Sequence, residues 1–358
     1  MVKQIHVSIS SHGFGHAAQT CLILNALRES RADLAFIIET AVPRTFLAAR
    51  INGSFQYRAQ VADPGLVMAS SLRVLTRASV DAYVAWFANR EEKINRLTTT
   101  LQHDNVALAL TNIAFDVPIA AQRVGIPSVG FCSLNWADLF SHYCGEGTGA
   151  DFIHAQLQSA YAALSCFIQL TPAMPMDWLS NRVSAPPISR IGTNRRESLL
   201  RVFGRSGREV KIVLAGFGGI DTPLPLDHWP AAPNLVWLIA ARGPLERNDM
   251  RTLEDVPISF IDAVASCDLI MTKAGYGTFT EAAFAKKPVV YVTRGDWPEE
   301  PYLVDWLAKY VPVRQISNNV FEEGTFLNDV MQIIDCEVAD AYPKSGHQQI
   351  VDTILRFL

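Results

Sequence analysis

Residues 272–281, T-K-A-G-Y-G-T-F-T-E, lie between two short apolar runs, and that setting limits what the chain can become. Residues 268–272 (DLIMT) and 288–293 (PVVYVT) read as buried strands. Residues 278–286 between them have the composition of a helix. Gly275, Tyr276 and Gly277 then form the turn that takes the chain from a strand tip into a helix N-terminus. Free backbone N–H groups and the helix dipole favour an anion at such a place. Glycine lets the backbone come close to a diphosphate. Glu281 falls about one helical turn inside, at a depth where a carboxylate can bond a sugar diol. A capping or dipole role is its other reading. Strand, glycine turn, helix and acid together point to a nucleotide-sugar site.

The rest of the chain repeats strand then helix, which favours parallel sheets with helices on both faces. Strands are expected at 5–10, 34–38, 106–110, 128–132 and 167–170, with helices at 17–29, 78–101, 118–124 and 151–164. In 78–101, Ala82, Ala85, Trp86 and Asn89 would share one side. Pro172, Pro175, Pro186 and Pro187 crowd together ahead of a polar run, 193–208, which reads as a linker. A second set of strands follows at 210–215, 235–239, 268–272 and 288–293, and 347–358 reads as a C-terminal helix. The expected domains are 1–190 and 209–345, a linker at 191–208, and a helix at 346–358.

A length of 358 residues suits two domains. An apolar content of 49% with 18% charged residues describes a buried globular chain. A net charge of −4 argues against a nucleic-acid partner. Six scattered cysteines without a C-x-x-C pair read as reduced thiols, and with no leader peptide in view they suggest a cytoplasmic protein. No apolar run is long enough for a membrane span; peripheral contact stays open.

The 272–281 segment resembles the donor-binding motif of the GT-B glycosyltransferases. In small-molecule transferases of that fold a His-Cys-Gly-Trp-Asn-Ser stretch leads to a Glu. Here Lys273, Ala274, Gly275, Tyr276, Gly277 and Thr278 lead to Glu281 at the same spacing. The segment is similar above all to the K-P-G-Y-G-T-x-S-E of a group of bacterial glycosyltransferases related to the non-kinase half of plant arabinose kinases. It is similar, at a greater distance, to the peptidoglycan N-acetylglucosaminyltransferase. The resemblance implies an α/β GT-B fold: two Rossmann-like, doubly wound parallel-sheet domains facing a central cleft, with acceptor in the first and donor in the second. A kinase activity is not implied, because the chain has no glycine-rich kinase domain.

The first glycine loop, residues 10–16 (S-S-H-G-F-G-H), carries Gly13, Gly15 and His16. At a helix N-terminus His16 would be held neutral and serve as a general base, with a rate set by a group titrating near neutrality. The matching family histidine deprotonates the acceptor; in a nucleotide-sugar hydrolase with a similar loop it activates water. Capping the helix is its plainer role. The family places an Asp after the third strand to orient this histidine. This chain has Asn112, which holds an imidazole but cannot stabilise its charge, and Asp116 four residues on is a substitute candidate.

The resemblance also assigns the donor side. Gly216, Phe217, Gly218 and Gly219 would cradle the diphosphate, or form a plain turn. Lys273 would neutralise phosphate charge, or lie in solvent. Phe260 and Ile261 would bracket the base, and Arg242 would lie near the base or diphosphate. Asp296 or Glu299 would read the sugar hydroxyls, or belong to a solvated acidic loop. Trp136, Asp138 and His142 could line an acceptor pocket. There is no Asp-x-Asp pair of the metal-dependent kind, so no metal and no cofactor beyond a nucleotide-diphosphate sugar, UDP-sugar favoured, is expected. The acceptor is unknown. A hydrolase or epimerase on the same fold, or a non-catalytic nucleotide-sugar binder, remains open.

Overall fold

A computed structural model describes residues 2–358 apart from 147, 148, 221, 242 and 244. The chain forms two compact units. The first comprises residues 1–69, 73–188 and 344–358, and the second 70–72 and 189–343.

In chain order the first unit begins with β1 (Lys3–Ile9), α1 (Gly15–Ser30), β2 (Leu34–Thr40), α2 (Arg44–Ala48) and β3 (Gln56–Ala59). β4 (Met68–Ser70) and β5 (Arg73–Val74) stand outside the main sheets. Then come α3 (Thr76–Ala88), α4 (Arg90–His103), β6 (Val106–Asn112), α5 (Asp116–Arg123), β7 (Ser128–Cys132), α6 (Trp136–Cys144), α7 (Ala150–Ala162), β8 (Cys166–Leu170) and β9 (Arg182–Ala185). Seven strands form one sheet in the order β3-β2-β1-β6-β7-β8-β9. Every pairing is parallel. β1 and β7 are almost wholly buried because helices cover both faces, so that even His6 and Ser8 of β1 are out of solvent.

The second unit holds α8 (Arg196–Val202), β10 (Lys211–Ala215), β11 (Leu235–Ile239), β12 (Met250–Thr252), α9 (Phe260–Ser266), β13 (Leu269–Lys273), α10 (Tyr276–Ala285), β14 (Val289–Val292), α11 (Glu300–Leu307), β15 (Val313–Ile316), α12 (Asn318–Glu323) and α13 (Leu327–Ile333). Its six strands run β12-β11-β10-β13-β14-β15, again all parallel. Val213, Trp237, Met271 and Val290 fill its core, with Trp229 packed 5.0 Å from Trp237. α14 (His347–Leu355) belongs to the first unit, where it packs on α1 through Ile350, Val351 and Ile354.

Three expectations are corrected. The single helix at 78–101 is two helices, broken at Asn89, whose φ of −119° leaves the helical range. Their buried faces are Ser79 and Tyr83 on α3 and Arg90, Ile94, Leu97 and Leu101 on α4, while Ala85 and Asn89 are exposed. The expected linker at 191–208 contains α8, which buries Leu199 and Leu200 and ties Arg196 to Asp268. Finally, residues 70–72 go with the second unit: Ser71 N–H donates to Thr222 Oγ1 at 2.9 Å, and Leu72 packs on that core.

Candidate functional site

Parallel pairing gathers the first cluster. β1 lies beside β6 with Ile9 opposite Asn112, and β7 follows on the other side of β6. The segments leaving the C-terminal ends of these three strands therefore meet, as they do at ligand sites of open α/β sheets. Gly13 takes φ of +72°, which turns the chain into α1 and sets His16 in its first turn. A side chain at Gly15 would meet no protein atom within 4 Å.

His16 is 8% exposed, and its Nδ1 lies 2.9 Å from Asn112 Oδ1. The Asn112 amide donates from Nδ2 to His16 O (3.2 Å) and to Gln19 Oε1 (3.0 Å). Its Oδ1 is therefore the end that faces the ring, so His16 Nδ1 carries the hydrogen and Nε2 keeps the lone pair. Nε2 makes no hydrogen bond to any described residue. Burial pushes the imidazole down to about 4, with the Asn112 bond acting weakly the other way. The ring is thus neutral across the neutral range, so no near-neutral titration of His16 governs the site. Burial is the main reason.

Cys132 Sγ also stands 3.7 Å from His16 Nδ1. A Cys-His-Asn nucleophile needs thiol and amide on opposite ring nitrogens. Here both lie at Nδ1, so that arrangement is not formed.

Asp116 does not substitute for the missing acid. Its carboxylate is taken by Arg90 Nε (2.6 Å) and Trp86 Nε1 (2.8 Å). Asp138 is likewise structural, holding Trp178 Nε1 at 2.8 Å and Asn135 Nδ2 at 2.7 Å, and His142 is exposed. Trp136 is fully buried, with its ring 5.1 Å from His12 and 5.9 Å from His16. Sequence reasoning missed Asp63, which accepts a hydrogen bond from Ser10 Oγ at 2.9 Å. It falls in A-D-P-G, which reads as a surface turn and gives no sign of burial.

The second cluster is built on β13, a central strand between β10 and β14. Gly275 is extended at φ −164°, and α10 starts at Tyr276, two residues earlier than expected. No side chain caps that helix, so its N-terminus is open to an anion. A Cβ at Gly277 would meet nothing within 4 Å. Gly277 lies inside the first helical turn, and Thr280 Oγ1 donates to its carbonyl at 2.9 Å. Thr278 and Glu281 are half-buried on α10, and Tyr276 is buried.

Lys273 ends β13 and lies against both glycine loops. A Cβ at Gly275 would be 3.2 Å from its Nζ, and one at Gly218 would be 3.7 Å from its Cε. Burial and then Arg294 push its ammonium down to about 7, against Glu299 and Glu300. No ion pair to Lys273 is formed among the described residues.

Among the described residues no helix follows the 216–219 loop, and a short 3-10 turn at Leu226–His228 leads to β11. The Phe217 side chain points into the core, 5.0 Å from Phe321, so only backbone could meet a ligand there. Gly218 takes φ of +86°, and Gly218 and Gly219 are exposed. Phe260 and Ile261 open α9. The Phe260 ring lies over Gly216, 3.1 Å from where a Cβ would be, while Ile261 is buried with its carbonyl against Gly192. Arg242 lies outside the described residues.

After β14, Asp296 is exposed, whereas Glu299 is 3% exposed and accepts from Trp297 Nε1 at 3.2 Å. Glu300, not singled out from sequence, accepts from Thr293 Oγ1 (2.6 Å) and from Arg294 N–H (2.8 Å), which shapes the loop. The Arg294 guanidinium lies 3.4 Å from the Trp297 ring centroid. Among the described residues there is no group of three His, Cys, Asp or Glu that could hold a metal, and no helix long and apolar enough to cross a membrane.

Two parallel, doubly wound units with these strand-end clusters define the GT-B glycosyltransferase fold. The chain matches the calicheamicin glycosyltransferase CalG4 with a TM-score of 0.62 at 13% identity, over 99% of this chain and 94% of that one. It matches Acinetobacter baumannii MurG at 0.58 and 14% identity, over 99% of each. The S. aureus MnaA–UDP structure matches at 0.60 and 12%, over 100% of this chain and 98% of that one. In sequence it is 27% identical over 316 residues to the L-arabinokinase of Arabidopsis thaliana, covering 84% of this chain. It spans only 29% of that curated relative. No protein-family model matches the chain.

Proposed function

We propose that the chain is a glycosyltransferase that moves a sugar from a nucleoside diphosphate, UDP favoured, to a hydroxyl-bearing acceptor. The carrying observation is Lys273, an unpaired half-buried cation between two glycine loops at the uncapped N-terminus of α10. That is a place for a diphosphate. UDP is favoured because the S. aureus MnaA structure of this fold contains it. Lys273 and the helix N-terminus stabilise the departing diphosphate in place of a metal. Glu281 bonds the ribose diol, and Glu299, turned inward, reads the sugar in preference to exposed Asp296. In the first unit, His16 Nε2 takes the proton as the acceptor oxygen bonds the anomeric carbon. The bond from that carbon to the diphosphate oxygen breaks, and the diphosphate leaves with the electron pair.

His16→Ala is expected to leave UDP-sugar affinity unchanged and to slow turnover by about 10²–10⁴-fold. Donor binding by calorimetry and UDP release by a coupled assay measure the two. A loss of affinity with unchanged turnover of bound donor would remove the base role. UDP release in water alone, without an acceptor, would mark the chain as a hydrolase.

A further inference from the structure

Two sources of positive potential act on Lys273. The first is α10. A Cβ at Gly275, the residue just ahead of that helix, would be 3.2 Å from Lys273 Nζ, so the side chain ends at the helix N-terminus. That end of a helix carries partial positive charge, and no side chain caps it here. The second is Arg294, whose guanidinium is held over the Trp297 ring and is 8% exposed in the residue as a whole. Glu299 and Glu300 act the other way. Yet Glu299 accepts from Trp297, Glu300 accepts from Thr293 and the Arg294 amide, and no ion pair to Lys273 is formed among the described residues. Asp296 on the same segment is exposed. The 216–219 loop brings no titratable group, α10 brings Tyr276 and Glu281, and β14 brings Tyr291, whose hydroxyl bonds Gln315. β10 brings Lys211, at the far end of that strand and paired with Asp335. The site thus gathers positive charge around a half-buried amine that has no ion-pair partner. Burial and like charge both disfavour the ammonium, and an arriving diphosphate favours it.

We propose that diphosphate binding and proton uptake are one event at Lys273. The amine sheds its proton to solvent from the empty site on the alkaline side of neutrality, and takes one back at Nζ when the diphosphate arrives. This rests on the donor reading above. Burial first, and then Arg294, push Lys273 down to about 7, in keeping with this exchange. A site that gains a proton with its ligand binds that ligand less well as pH rises. Alkali therefore weakens the donor site through Lys273; His16 is already neutral there.

The test is calorimetry of UDP binding to the full chain at pH 8, in buffers of different ionisation heat, so that the spread of heats counts protons. UDP has already lost its last phosphate proton at that pH. Uptake of roughly 0.7–1 proton per UDP is expected, with affinity falling up to about tenfold per unit between pH 8 and 9. Lys273→Met is expected to bind UDP more weakly, and Lys273→Arg to keep its charge throughout. Neither variant is expected to take up a proton or to lose affinity between pH 8 and 9. A folded variant that still takes up the proton overturns the proposal, and the wild-type count decides if neither variant folds. UDP bound by the wild type with no uptake and a flat pH profile overturns the coupling and leaves the donor reading standing. No detectable UDP binding between pH 6 and 8 overturns both.

Discussion

Asn112 fixes the tautomer of His16 without lending it a charge. Residues 16 and 112 were both legible in the sequence, because the glycine loop and the strand tip mark their places. The size of the pKa change was not, since it comes mainly from burial, and burial depends on what the fold packs around a ring. Asn112→Asp is expected to raise the His16 pKa and move the acid limb of the rate profile to higher pH. Rates of UDP release from pH 4 to 8 test this, and an unmoved limb would mean that residue 112 does not orient the base. Stability follows the same group. The unfolded imidazole binds a proton below about 6.5 and the folded one only near 4. Stability is therefore lost as pH falls through that window, by roughly 3 kcal/mol for such a shift. His6, fully buried with both ring nitrogens unpartnered and also pushed down to about 4, adds a loss of the same sign.

Elements differ in how clearly a sequence announces them. β13, the glycine turn and α10 were visible because an apolar run, two glycines and a helix-forming stretch follow in order. Edge strands such as β3 (QYRA) and β9 (RVSA) were missed, because they are short and have one neighbour, so their polar residues break any apolar run. α8 was mistaken for linker because Arg195, Arg196, Arg201, Arg205 and Arg208 mask the buried pair Leu199–Leu200. Gly277 separates fold from function on α10. Since a Cβ there meets no protein atom, Gly277→Ala is expected to stabilise the unliganded chain by about 0.5–1 kcal/mol through helix propensity. The same methyl is expected to cost at least about tenfold in UDP affinity by holding the phosphate away. Chemical denaturation and calorimetry read the two effects, and a variant that binds UDP normally would place the phosphate elsewhere.

At the scale of the whole molecule, two doubly wound sheets were legible from the alternation of strand and helix, but the passages of chain between units were only approximate. Residues 70–72 could not be assigned from sequence, since three residues carry no pattern. The place of α14 follows from packing: Ile354 is fully buried, and α1 and α14 cover each other in the first unit. Ile354→Ala is expected to destabilise that unit by about 2–5 kcal/mol. Hydrogen exchange should then speed up in α1 and α14 and stay slow in β10 and β13. Equal acceleration in both units would show that they unfold as one.

The position of α14 bears on the order in which the molecule comes into being. Domains made on the ribosome generally acquire structure from the N-terminus onward. Here residues 344–358 emerge after the whole of 189–343, so the second unit has its full sequence while the first still lacks the helix that covers α1. The unit begun first is the one finished last. Until then the side of α1 that α14 covers stays open.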